Sequence, residues 1–452
     1  MKDEMPNQHS NKSTRILILG SGFAGVEVLR RLQRKFLKKN NNIAITLVSR
    51  DNFLLFTPML HEVSSGMIEI RHIVTPIRTF SKKANFYEAN IQSIDLQNKK
   101  VIITHKIGKR SEPTPYEKRV LQYDYLVIAL GNETSFFGME DIKRHSFTMK
   151  TIDDAIVLRN HVINMLEQAS LEQENNELRE SLLTFVVVGG GFGGVETVGE
   201  LNDFVKDTVR EYYKNSFISD IKIILVNSHD KILPELGEEL GSFALQKLKE
   251  RGVQFIMNTY VKGATATTAR LDNGSIIPTY TLIWTAGVHP SEVISNLACD
   301  HDKHHRIICN NYLELSGYEG QVYALGDCAS ITDPHTGKPY PPTAQHAIRQ
   351  GKVAAKNIIS SIEGGKRNKQ KFDYKTKGMM AEIGKRVGVA KLFGFKIHGF
   401  VAWWLWRTFY LSNLPTIKKK LKVMSDWTAD LLFKLDVAMI KGYIAKEKQR
   451  QS

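Results

Sequence analysis

Short apolar runs, each closed by glycine or by a polar stretch, recur along the first three-quarters of the chain. Arg15-Ile-Leu-Ile-Leu19, Ile43–Val48, Tyr123–Ala129, Leu183–Val188 and Gln321–Leu325 each read as a buried strand, and another strand ends at Ile283-Trp284. Between them lie stretches of helical or loop character. Asp153–Leu182 reads as a helix pair or an excursion, with a polar stretch at Glu172-Gln-Glu-Asn-Asn-Glu177, and Thr343–Ile362 predicts a single long helix. From Lys371 the texture changes, and aromatic residues and lysines become dense. The segment Ile397–Leu411 is apolar and aromatic but holds His398 and Arg407, so it is too short and too charged to span a membrane. Beyond the lysines at Lys418, Lys419, Lys420 and Lys422, a stripe of Trp427, Leu431, Leu435 and Met439 falls at near-helical spacing, with Lys434 and Lys441 off it.

Two of the strands run into glycine-rich turns of the form GxGxxG. The first is Gly20-Ser-Gly22-Phe-Ala-Gly25 and the second Gly189-Gly-Gly191-Phe-Gly-Gly194. Strand, tight turn and helix start in this order bring backbone N–H groups and the positive end of a helix to a pyrophosphate. One copy is weak evidence; two copies, each in the confirming context, predict two dinucleotides held at once, FAD and a nicotinamide nucleotide. The predicted fold class is α/β, with two Rossmann-like dinucleotide-binding domains followed by a C-terminal docking segment. The expected boundaries are 14–150 and 285–370 for the FAD-binding domain, 151–284 for the NAD(P)H-binding domain, and 371–452 for the C-terminal part.

Composition narrows the picture in three ways. The 452 residues suffice for two or three domains. Lys and Arg outnumber Asp and Glu by 62 to 47, and the formal charge of +15 suits an anionic partner, either membrane lipid or nucleic acid. The three cysteines, Cys299, Cys309 and Cys328, form no CxxC pair, so neither a metal site nor a dithiol is expected. The adjacent histidines His304 and His305, with His301 and His346, read as surface or loop residues. Met1–Thr14 is polar and lacks the apolar core of a signal peptide.

In its order of motifs the chain resembles the two-dinucleotide flavoproteins of glutathione-reductase type, and among them most closely the type II NADH:quinone oxidoreductases. The resemblance is carried by Asn52-Phe-Leu-Leu-Phe-Thr-Pro-Met-Leu-His-Glu-Val63, Phe192-Gly-Gly-Val-Glu196, Ile283-Trp-Thr-Ala-Gly-Val288 and Ala324-Leu-Gly-Asp-Cys-Ala329. It continues in Pro341-Pro-Thr-Ala-Gln-His-Ala-Ile-Arg-Gln-Gly351, similar to the family's AQxAxQ helix, in Gly378-Met-Met-Ala-Glu-Ile-Gly384, and in Gly399-Phe-Val-Ala-Trp-Trp-Leu-Trp406. It implies non-covalent FAD held by Gly20, Gly22, Phe23, Ala24, Gly25, Ser49, Arg50, Ala129, Gly131, Gly326 and Asp327. It implies NADH or NADPH as substrate at Gly189, Gly191, Phe192, Gly193, Gly194, Asn227, Ala286 and Gly287. Glu196 would assist nicotinamide placement or proton delivery, Ala344 and Gln345 would line a quinone pocket, and Lys377 would approach that pocket. The alternative reading of Asp327 is a helix N-cap, and that of Glu196 an acid favouring a helix N-terminus.

Three positions depart from the family pattern. Ser49 and Asn227 close the two βαβ units where an acid usually binds ribose, and Arg349 replaces the second glutamine of the AQ motif. Asn227 leaves the choice between NADH and NADPH open. The implied partners are a membrane quinone and an anionic membrane surface, at the cytoplasmic face of the cell membrane, with no nucleic acid expected. The tail stripe, with tryptophans near lysines, is expected to form interfacial helices with the tryptophans at the headgroup level; the alternative is an intramolecular docking face or a homodimer contact. Two further readings stay open: a sulfide:quinone oxidoreductase-like flavoprotein, which needs a cysteine pair beside the flavin, and a basic flavoprotein acting mainly as a binding partner.

Overall fold

The computed structural model describes residues 13–36, 42–106, 116–172, 174–214, 217–364 and 368–439. Within them the chain divides into two compact units, each assembled from three separated stretches. One comprises residues 1–54, 75–133 and 289–375, the other 55–74, 134–288 and 376–452. These boundaries differ from the expected four-part division chiefly in that the short segment 55–74 and the C-terminal part both join the nucleotide unit built on the second glycine turn.

The first unit is organised around a five-stranded parallel sheet in the order Val322–Ala324, Tyr125–Ile128, Thr14–Leu19, Ile43–Ser49, Asn85–Glu88. Its strands are near-continuous apolar runs because a parallel sheet is covered on both faces, and Ile16, Leu17, Ile18 and Leu19 are all buried. The helix Phe23–Phe36 follows the first glycine turn and packs on the long helix Ala344–Ile362, so closely that a Cβ at Gly351 would lie 2.7 Å from the Ala24 carbonyl oxygen. A three-stranded antiparallel meander, Asn90–Asp95, Lys100–Lys106 and Tyr116–Gln122, is added to this unit.

The second unit repeats the plan. Its parallel sheet runs Phe147–Thr148, Thr281–Trp284, Thr184–Val188, Lys222–Val226, Val253–Ile256, with every residue of Thr184–Val188 buried. In both sheets the strand entering the glycine turn is central, the next βαβ strand lies on one side and a later strand on the other. This switch of direction opens the crevice at the carboxyl ends of the strands where α/β proteins bind ligands. The predicted helix pair is present as Ile152–Leu171 and Asn176–Leu182.

The C-terminal part of this unit is an antiparallel sheet, Gly378–Glu382, Gly388–Leu392 and Phe395–Gly399, followed by helices Phe400–Asn413 and Ile417–Leu432. The stripe expected to continue to Met439 ends with the helix at Leu432. Beyond it the chain has no regular secondary structure, and side chains take its carbonyls: Tyr212 donates to Leu435 O at 2.6 Å, and Arg159 donates to Asp436 O and, at 2.9 Å, to Ala438 O. Leu435 and Met439 are half-buried against the unit's core. Lys441 and the polar N-terminal stretch to Lys12 lie outside the described residues. No described helix is long and apolar enough to cross a membrane.

Candidate active site

Both glycine turns have the same division of labour. In the first, Gly20 adopts φ +98°, and a Cβ there would sit 2.2 Å from the Ala129 carbonyl oxygen; one at Gly25 would sit 2.0 Å from the carbonyl oxygen of Gly20. These two glycines let turn, helix and strand pack. Gly22 differs, since no atom lies within 4 Å of where its Cβ would be. In the second turn Gly189 (φ +116°) and Gly194 are closed in the same way, the latter 1.8 Å from the Gly189 carbonyl oxygen, while Gly191 and Gly193 face open space. An open middle glycine ahead of a helix start is the cradle a pyrophosphate needs, so both turns fit a dinucleotide.

The residues around the first turn are placed as follows. Ser49 ends its strand buried, and the Ser21 hydroxyl donates to the Ser49 hydroxyl at 2.8 Å. Arg50 is exposed beside Asp51. Ala129 is buried at the end of its strand, and Gly131 takes φ +69°. Asp327 lies in the short turn Gly326–Cys328. A strand, Ala329–Ile331, follows it, and the long helix begins only at Ala344 behind Thr343, so Asp327 does not cap that helix. Gly326 N–H instead donates to the Gln350 amide oxygen at 2.7 Å, and this neighbour of the AQ motif ties helix to turn.

At the start of the long helix, Gln345 accepts a hydrogen bond from the Tyr374 hydroxyl at 3.2 Å. Arg349 lies 4.2 Å over the Tyr374 ring and donates to the Gln345 carbonyl at 2.8 Å. His346, expected at the surface, is buried between Tyr340 and Tyr374, and burial lowers its pKa to about 4. His304 and His305 are exposed as expected. Lys377 is exposed at the entry to the strand Gly378–Glu382.

Asn227 is buried, and its amide is committed to the second turn. It accepts from Gly190 N–H at 3.0 Å and donates to the His229 and Lys231 carbonyls at 3.0 and 2.9 Å. Ala286 and Gly287 follow the strand Thr281–Trp284, where Thr285 donates to the Val188 carbonyl at 2.7 Å.

Glu196 stands on helix Phe192–Tyr212, past its first turn, which carries no acid. It belongs to a buried polar cluster that sequence reading did not assemble. The His61 ring lies between two carboxylates: Nδ1 is 3.9 Å from Glu196 Oε2, and Nε2 is 3.4 Å from Glu382 Oε2. Glu382 N–H donates to Glu196 Oε1 at 3.4 Å. Trp403 donates its indole N–H to Glu382 at 2.6 Å, and Trp427 donates to Glu62 at 3.0 Å. Arg407, stacked on both indoles, donates to Glu62 at 3.3 Å and lies 4.0 Å from Glu382. Glu200, one turn beyond Glu196, is 1% exposed, and neither of its carboxylate oxygens has a hydrogen-bond partner among the described residues. Burial raises the Glu196 carboxyl to about 7, His61 opposing and Glu382 adding to the rise. Burial also pushes Glu62, Glu200 and Glu382 upward. The sequence signals were faint: Glu200 follows Glu196 by four, and Arg407 interrupts an apolar run.

The tryptophans were expected at a headgroup level. Trp403, Trp406 and Trp427 are instead buried: the N–H groups of Trp403 and Trp427 serve this cluster and the Trp406 ring packs beside His61, while Trp404 alone of the tail tryptophans is exposed. All three cysteines are free, with burial raising the Cys299 and Cys328 thiols to about 11 and Cys309 upward as well.

The parallel sheets and their two open glycine cradles define a flavoprotein oxidoreductase of the two-dinucleotide class. The family model "Pyridine nucleotide-disulphide oxidoreductase" matches residues 14–351, and "NDH2 C-terminal domain" matches 376–436. The chain is 32% identical to a probable NADH dehydrogenase of Dictyostelium discoideum, over 94% of this chain and 91% of that protein. It is 29% identical to the type II NADH:quinone oxidoreductase Ndh of Mycobacterium tuberculosis, over 94% and 90%. Its fold matches NDH2 from Plasmodium falciparum, solved in complex with NADH, with a TM-score of 0.85 at 22% identity, over 94% of this chain and all of that one. The chain belongs to the pyridine nucleotide-disulphide oxidoreductase family, and within it to the type II NADH:quinone oxidoreductases.

Proposed function

We infer that the protein oxidises NADH and delivers the two electrons to a membrane quinone, working at a membrane surface without crossing it and without pumping protons. The observation that carries this reading is the pair of open glycine cradles, one in each unit, joined to a C-terminal part of the NDH2 type. FAD, held when bound at the first turn, supplies the two-electron relay between nicotinamide and quinone. The chain's own residues position and protonate. Gly22 and the start of helix Phe23–Phe36 take the FAD pyrophosphate, with Ser49 beside the ribose and Asp327 at the ribityl chain. Gly191 takes the pyrophosphate of the nicotinamide nucleotide, Glu196 holds a proton near the same turn, and Gln345 with Ala344 lines the quinone side.

Three buried or half-buried thiols with raised pKa values disfavour sulfide oxidation, which needs a reactive cysteine pair. An exposed apolar face on the tail helices favours lipid over nucleic acid as the anionic partner. We place the protein peripherally at the cytoplasmic face of the cell membrane, with a homodimer as the competing use of that face.

Gln345→Leu tests the quinone assignment. The variant should slow reoxidation of the flavin by quinone about tenfold, the scale of one polar contact, and leave flavin reduction by NADH unchanged. Stopped-flow measurement of the two half-reactions separates them, and a loss confined to reduction by NADH would contradict the role of Gln345.

Asn227 bears on nucleotide choice. With no acid there to repel a 2′-phosphate, NADPH should be tolerated. Asn227→Glu should shift the ratio of kcat/KM values toward NADH by about tenfold. It should also cost roughly 1–3 kcal/mol of stability, because the two carbonyls that the amide serves lose their donor. An unchanged NADPH-to-NADH ratio in a destabilised variant would leave Asn227 a purely structural residue.

A further inference from the structure

Phe137 departs from ordinary placement in two ways. It adopts φ +50° and Gly138 after it φ +78°, and Met139 N–H closes the turn on the Phe136 carbonyl at 2.9 Å. Two left-handed residues in succession, closed in this way, have the pattern of a type I′ turn. Its first central position favours asparagine, aspartate or glycine, and a bulky side chain there is strained. Burial does not offset that strain, since Phe137 is 66% exposed. The packing of this segment falls to Phe136, which is half-buried and stacks on the buried Trp284 at 6.4 Å.

The exposed ring is nevertheless fixed in place, and it stands next to the second glycine turn. Its centroid is 6.5 Å from that of Trp284, the rings inclined at 70°, and its tip rests on Gly287, where a Cβ would come within 2.6 Å of Cζ. Trp284 donates its indole N–H to the Ser135 carbonyl at 2.7 Å, and Ser135 N–H donates to the Gly287 carbonyl at 2.9 Å, so the two segments that carry the ring contacts are tied together. Trp284 pairs with Val188, the last residue before Gly189, and a Cβ at Gly189 would lie 3.1 Å from Ala286 Cα. On the other flank of the turn, a Cβ at Gly190 would lie 2.7 Å from the Asn227 side chain. All of these residues belong to the nucleotide unit. A dinucleotide with its pyrophosphate at Gly191 sends its adenosine toward Asn227, which holds the ribose position of the fingerprint, and its other half toward Gly287.

We propose that Phe137 is the binding platform for the nicotinamide ring of the dinucleotide. The proposal rests on reading the second turn as the nicotinamide-nucleotide site, and it adds a residue to that site. A strained backbone that holds an aromatic ring out of the core marks a position kept for a ligand rather than for packing. The ring is already oriented by Trp284 and Gly287, so little rotamer freedom is lost when a flat heteroaromatic lies against it. Nicotinamide is such a ring, and stacking on an aromatic face is its natural contact. Gly287 follows from the same arrangement: any larger residue there would push the phenyl ring away.

Phe137→Asn tests the proposal in the FAD-loaded protein, because asparagine suits the turn and removes the ring. Titration calorimetry with NAD⁺, ADP-ribose and AMP reads binding without turnover. The variant should bind NAD⁺ about tenfold more weakly, the scale of one base–aromatic stack. ADP-ribose and AMP, which lack the nicotinamide, should bind as in the parent. Its melting temperature should equal or exceed the parent's, since the strain is relieved. Phe137→Tyr keeps the ring and should keep NAD⁺ affinity. If Phe137→Asn does not fold, Phe137→Leu, with apolar bulk and no ring, carries the binding arm. Unchanged NAD⁺ affinity in a folded variant overturns the proposal, and so does an equal loss for all three ligands, which would make Phe137 a structural residue of the turn. A parent that binds none of the three would instead overturn the nucleotide reading of the second turn.

Discussion

Gly22→Leu is expected to give a folded protein without flavin. No atom lies within 4 Å of where a Cβ at Gly22 would stand, so the chain itself accommodates the new side chain. What the side chain fills is the space through which a pyrophosphate reaches the backbone N–H groups at the start of helix Phe23–Phe36. Two lost hydrogen bonds to a charged group, at roughly 1.5–3 kcal/mol each, weaken FAD binding on the order of 100-fold or more. Gly25→Val is the contrasting variant. Its Cβ would meet the Gly20 carbonyl oxygen at 2.0 Å, so it should lose the fold along with the flavin. Gly191→Leu should keep flavin but no longer be reduced by NADH, since the second turn is opened and closed by the same rule. The flavin-to-protein absorbance ratio, with thermal melts with and without added FAD, reads all three. Stoichiometric flavin in a purified Gly22→Leu protein would show that the pyrophosphate lies elsewhere.

This contrast among glycines shows what was legible in the chain. The strand runs and both turns are local features, and their spacing announced the two parallel sheets and the nucleotide cradles. The division within each turn appears only in the structure, where the outer glycines serve packing and the middle one stands open. The buried cluster was not legible in this way. His61, Glu200, Glu382 and Arg407 are scattered over most of the chain's length and meet only in the folded unit, and a glutamate in a helical run looks like a solvated face until the packing is known. Composition also misled about the tail. A tryptophan beside lysines suggests a membrane belt, yet an indole offers an N–H as well as apolar area, and buried carboxylates claimed two of those donors. His346 likewise read as a surface residue, although the aromatic pair that buries it, Tyr340 and Tyr374, brackets it in sequence.

Ile417→Gln, Leu421→Gln and Met424→Gln together should abolish membrane binding while leaving the flavin site active toward soluble quinones. Helix Ile417–Leu432 has two apolar faces. Val423 and Trp427 are buried against the unit, while Ile417, Leu421, Met424 and Leu431, at helical spacing, are 46–76% exposed. Phe400, Val401 and Trp404 are exposed on the preceding helix. An amphipathic helix that turns apolar side chains outward beside lysines is suited to lie in the headgroup region. Lys419 and Lys420 donate to backbone carbonyls of Arg71 and Ser412, which leaves Lys418 the freer contact for anionic phosphates. Burying each of the three outward side chains contributes at most about 1.5–3 kcal/mol, so even half of that total corresponds to a partition coefficient lowered on the order of 100-fold. Lys418→Gln should weaken binding by about 1 kcal/mol on anionic vesicles at low salt and not at high salt. Removing the whole tail is a poorer test, because it takes away Trp403, Arg407 and Trp427 and strands Glu62 and Glu382 without donors, at a cost of roughly 1–3 kcal/mol for each buried acceptor left unsatisfied. Vesicle flotation of the triple variant, with its mass in solution measured alongside, decides the use of this face. Retained flotation with a fall from dimer to monomer would assign the face to a second copy of the chain, whereas lost flotation at unchanged mass assigns it to lipid.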